Sequence, residues 1–271
     1  MGGNTARVNT VKRSTTRRVI AALGPVAFVV ACTQQPETTP SEPSATEGEK
    51  SAAASQPAAK EGPPLHAHMQ EHFVRVDQLQ KAVVAGDLEA AREHAEWVAS
   101  HPPHDDLPGG WKPYIATMRA RAREVLEASE LPRAAMATAR VAGTCGSCHA
   151  ANEVDVKLGA EPMPTEGEGV DAQMKMHQWA ADRMWDAVVS RSDELWKMGV
   201  EALSTASVAP TALKGEPSEG SKLEAVLTEY RSVAKIAGEA ASADARVEAL
   251  GKYLSTCIGC HQVSEQGPEA W

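Results

Sequence analysis

Two short runs of residues carry recognisable chemistry: Cys145-Gly-Ser-Cys148-His149 and Cys257-Ile-Gly-Cys260-His261. Cysteines three residues apart lie on one side of a helical turn. Both thiols can then add across the two vinyl groups at a porphyrin edge, and the next residue brings an imidazole under the iron. The pattern predicts two covalently bound haem c groups. Cys145, Cys148, Cys257 and Cys260 are the attachment points, and His149 and His261 are the proximal iron ligands. A zinc site would need the cysteine pairs close together, yet their first cysteines lie 112 residues apart. A thioredoxin-like redox pair would need a βαβ setting, and no strand pattern stands out.

The sixth iron ligand must come from elsewhere in the chain. After His261 the sequence offers neither Met nor His, so the second iron must look upstream. Met174 and His177 lie on one helical stripe, and Met69 and His72 occupy the same place in an earlier segment. Methionine on a helix is most often core packing. A buried imidazole that recurs at the same stripe position is harder to explain by packing. His72 and His177 are therefore the preferred distal ligands, with Met69 and Met174 as the alternatives. An empty sixth position is a third possibility. His66, His68, His94, His101 and His104 have no counterpart in the second segment and are expected at the surface or in loops.

These correspondences reveal a duplication. Met69 and Met174, and Ala82-Val-Val84 and Ala187-Val-Val189, recur at a spacing of 105 residues. Arg119 and Arg231, and Thr144-Cys145 and Thr256-Cys257, recur at 112. Each copy reads as four helices. The stripe Met69, His72, Val76, Leu79, Val83 opens the first copy, and Met174, His177, Ala181, Met184, Val188 opens the second. Asp87 and Ser192 suit N-caps of second helices. Pro113 fits the first turn of a third helix running to about Ser129, and Ser221-Lys-Leu-Glu224 is a capping-box pattern. Pro132 and Asp244 open fourth helices that end in the cysteine motifs. The expected fold is all-α: two tandem four-helix bundles, residues 65–155 and 170–265, each with a C-terminal haem motif. Residues 156–169 have linker composition, which leaves the relative orientation of the bundles open, and residues 266–271 form a tail.

The N-terminus reads as an address. Residues 1–31 hold five bases, no acid and a short apolar run, the pattern of a secretory signal peptide. The run is too short to span a bilayer as a mature helix. It ends Val29-Val30-Ala31-Cys32, which resembles the lipobox of bacterial lipoproteins. That resemblance implies lipidation at Cys32 and a periplasmic, membrane-anchored protein. Thr33, rather than aspartate, follows the cysteine and slightly favours the outer membrane. Residues 32–64 are rich in Pro, Ser, Thr, Ala and Glu and read as a disordered tether. The net charge of −9 argues against a nucleic-acid partner and suits electrostatic docking to redox proteins of the cell envelope.

A cysteine motif at the C-terminal end of a four-helix bundle, with a helix-one methionine before a Gly-Asp step (Met69, then Gly86-Asp87), resembles the cytochrome c prime and cytochrome c556 family. Low-spin members use such a methionine on iron, which favours Met69. Cytochrome c prime itself leaves the distal side closed by an apolar residue and binds small gases. This chain departs from the family in its shorter units and in the histidine three residues after the methionine. The expected function is one-electron transfer without substrate chemistry, so not an enzyme. Gas binding at a five-coordinate haem is the alternative. A dihaem peroxidase is disfavoured because no acid–base pair lies beside either motif.

Overall fold

The computed structural model describes residues 65–159, 161–164, 169–206 and 221–264. The proposed signal peptide, Cys32 and the tether lie outside them, as does the C-terminal tail. The described residues are all-α, with eight helices and no strand among them. No helix among them is long and apolar enough to cross a membrane.

Helices α1 (Leu65–Ala85), α2 (Leu88–Ser100), α3 (Lys112–Leu126) and α4 (Leu131–Ala151) come from the first copy. Helices α5 (Val170–Ser190), α6 (Asp193–Thr205), α7 (Lys222–Glu239) and α8 (Ala243–Ser264) come from the second. The helix starts follow local chemistry. The Asp87 carboxylate accepts a hydrogen bond from the Ala90 amide at 2.9 Å, and Ser192 and Ser221 do the same for Leu195 and Glu224. Pro113 lies in the first turn of α3, which stops at Leu126, short of the expected Ser129. At α8 the cap is Ser242, whose hydroxyl accepts from the Ala245 amide, while Asp244 sits in the first turn.

Within each copy, consecutive helices pack on one another and the first returns to the fourth. The two copies also share one hydrophobic core, to which α1, α4, α5 and α8 all contribute. At its centre α4 lies along α8. A Cβ on Gly143 would come within 2.6 Å of Val247, and one on Gly251 within 2.5 Å of the Met136 sulfur. Numbers rise along α4 as they fall along α8, so the two helices run antiparallel. Ala135, Ala139 and Ala142 of α4 are fully buried in the shared core.

The segment before α5 departs from the freedom its composition suggested. The Trp179 indole donates to the Glu161 carbonyl at 3.0 Å, Arg183 reaches the Gly159 carbonyl at 3.4 Å, and Leu158 packs on the core. The described part of this segment is pinned along α5.

Candidate functional site

The cysteine motifs occupy the last turns of α4 and α8. None of Cys145, Cys148, Cys257 and Cys260 is in a disulfide. Desolvation, reinforced by the second thiol of each pair, pushes Cys145 and Cys257 up to about 12. Burial also raises Cys148 and Cys260. All four are held as neutral thiols.

The His149 ring is oriented by the other copy. Its Nδ1 lies 2.9 Å from the Val189 carbonyl at the end of α5. A carbonyl only accepts, so Nδ1 carries the proton and Nε2 is the nitrogen left with a lone pair. A metal-ligating histidine commonly has this arrangement. Its repeat equivalent, His261, lies against the backbone of Val84, the repeat equivalent of Val189. Burial lowers the His261 pKa and the Val84 backbone works against that lowering. The contact is looser than at His149, since His261 Nδ1 has no partner of good hydrogen-bond geometry. Each motif histidine thus meets the first helix of the opposite copy.

His177 lies near the second motif, close enough for His261 to oppose its protonation, although burial is the larger cause of its lowered pKa. Its Nε2 is 3.1 Å from the Ala206 carbonyl and 3.1 Å from the Tyr230 hydroxyl, and the His177 and Tyr230 rings stack. With Ala206 able only to accept, Nε2 acts as a donor here. Tyr253, fully buried, donates to the His177 carbonyl at 2.9 Å. Met174 is half-buried.

His72 is in a different setting. It is 7% exposed, and neither ring nitrogen has a hydrogen-bond partner. Burial drives its pKa down to about 3, helped by His68, His101 and Arg119. Met69, one turn away, is half-buried. The residues around His72 correct the surface-or-loop expectation for one histidine. His68 is buried, one turn before His72 on the same face of α1. His101, at the end of α2, is half-buried, its ring 5.1 Å from both His68 and His72. The i, i+4 spacing of His68 and His72 could have flagged the pair, but His68 has no repeat counterpart, and the arrival of His101 depends on how α2 packs.

An open groove of about 720 Å³ lies between α4, α7 and α8, lined in part by Arg133, Arg140, Lys252, Thr256 and Gly259. On α8 His261 lies on the side away from these residues, whereas Cys260, four residues after Thr256, borders the groove.

No protein-family model matches the chain, and no curated protein or solved structure matches it either.

Proposed function

We propose that the chain is a dihaem c-type cytochrome, a one-electron carrier of the bacterial periplasm tethered through a lipidated Cys32. The chain reads as two tandem four-helix bundles with fused cores. The observation that carries the reading is the pairing of two thiols one turn apart, neither in a disulfide, with an imidazole whose Nδ1 is engaged by a carbonyl 2.9 Å away. That donor set fits two thioether bonds and one nitrogen ligand, and the sequence offers it twice. A bound haem would supply an iron that cycles between ferric and ferrous states.

The protein's own part is to hold that group. Cys145, Cys148 and His149 would hold the first haem, and Cys257, Cys260 and His261 the second. The Val189 carbonyl fixes the tautomer and plane of His149. His177 or Met174 is the upstream ligand for the second iron, and His72 or Met69 for the first. For His177 to bind through Nε2, it must release the Ala206 carbonyl. That commitment is the specific observation favouring a second reading, in which the second haem is five-coordinate and binds gases. Redox proteins of the cell envelope are the partners, and the acidic chain offers them an electrostatic surface.

The test begins with covalent haem content. The denatured protein should retain two haems per chain, Cys145→Ser/Cys148→Ser should retain one, and so should Cys257→Ser/Cys260→Ser. A wild-type chain with no covalent haem overturns the reading. Carbon monoxide added to the reduced protein then separates the two forms. Slow or no binding supports electron transfer, and rapid binding at one haem supports the five-coordinate alternative.

A further inference from the structure

Three histidines outside both cysteine motifs converge at the α1–α2 end of the first copy. We infer that His68, His72 and His101 form a tris-imidazole site for a divalent first-row metal ion. One ligand atom from each lies within 4.8 Å of the other two. Tetrahedral zinc with Zn–N of about 2.0–2.1 Å needs ligand atoms about 3.3 Å apart, so side-chain rotations of about 1.5 Å close the set. His68 and His72 stand at i, i+4 on one face of α1, the spacing by which two imidazoles on a helix share a metal.

The site is built rather than incidental. His72 is buried with both nitrogens unpartnered, an arrangement that costs free energy unless something supplies a partner. Trp97 stacks on His101 with ring centroids 3.9 Å apart and holds that imidazole in place. Glu71 Oε2 is 4.0 Å from His101 Nε2 and can serve as its outer carboxylate. Arg119, which donates to the His101 carbonyl, is the cation that opposes the ion. Three neutral imidazoles with one remaining position suit Zn²⁺ or Cu²⁺ rather than Mg²⁺ or Ca²⁺, which take oxygen donors.

The site does not need the haems, but it competes with the first of them for His72. One imidazole cannot serve two metals, so a metal here leaves Met69 as the upstream ligand for the first iron.

The experiment dialyses the full-length chain to equilibrium against Zn²⁺ and quantifies zinc, iron and covalent haem in the same sample. One zinc per chain is expected beyond the haem iron. His68→Ala and His101→Ala should each weaken it at least 100-fold, with helical circular dichroism retained, and His66→Ala, on the exposed side of α1, should leave it unchanged. His101 is half-buried at a helix end, so its variant folds even if His68→Ala does not. X-ray absorption at the zinc edge of the wild-type protein should read nitrogen ligation from imidazoles. Absence of stoichiometric zinc, retention of zinc in both variants, or sulfur ligation overturns the site. Sulfur ligation together with missing covalent haem would overturn the haem reading as well. Nitrogen-ligated zinc without covalent haem would overturn the haem reading alone.

Discussion

Arg183 and Asp186 form an ion pair with a 2.7 Å contact and both side chains largely buried. Burial, reinforced by Asp182, Asp77 and Glu161, outweighs Arg183 and lifts Asp186 to about 6. The folded protein therefore binds a proton at Asp186 in a range where the unfolded chain has already lost it. Between about 6 and about 4, this group makes the protein more stable as the pH falls, by about 1.4 kcal/mol per pH unit. Above 6 the contribution is gone, and the charged pair with Arg183 is all that offsets desolvation. Asp186→Asn removes the titration. Urea unfolding of both proteins at pH 7 and pH 4.5 should show the wild type gaining on the variant in acid. An unchanged difference between the two pH values would mean that Asp186 titrates normally.

At the scale of the helices, the motif glycines are not equivalent. A Cβ on Gly146 would stand 2.1 Å from the Val188 carbonyl oxygen, a backbone atom of α5. Gly146→Ala must therefore push α4 away from α5 and carry His149 away from Val189, at a cost of about 1–3 kcal/mol. Around Gly259 the nearest atom is the far end of Val226 at 3.8 Å, so Gly259→Ala fits and gains helix propensity, up to about 1 kcal/mol. Thermal melts of the two variants should move in opposite directions; parallel shifts would contradict the packing. These glycines also mark what the sequence made legible. The caps at Asp87, Ser192 and Ser221 were readable because a side chain meets an amide three residues on. The stripe on α1 was readable because its period is local, and Val76, Leu79 and Val83 are buried as expected. The α4–α8 contact was not, because a face of Ala and Gly says that something approaches closely but not which helix. The histidine cluster was half legible: His68 and His72 share a spacing, whereas His101 reaches them only through the packing of α2 on α1. Reading each histidine by its repeat partner hid His68, since the second copy has none at that place.

For the molecule as a whole, the two four-helix segments are not independent halves. His149 of the first copy is held by Val189 of the second, His261 lies against Val84 of the first, and α4 and α8 approach closely at Gly143 and Gly251. One core runs through both copies, so neither can lose its structure without exposing the inner face of the other. Cooperative unfolding follows: calorimetry should give a single transition whose calorimetric and van't Hoff enthalpies agree. Leu250, fully buried on α8, offers the sharper probe. Leu250→Ala removes buried methyl groups and should cost about 2–5 kcal/mol. Because that loss falls on the shared core, it should lower the melting of both copies together. Hydrogen exchange can read this separately, from amides of α1 for the first copy and of α5 for the second. If α5 loses protection in Leu250→Ala while α1 keeps its wild-type values, the copies fold as separate units. Matched loss in both helices would mean that the two cysteine motifs share one scaffold, so that a change at either is felt at the histidine of the other.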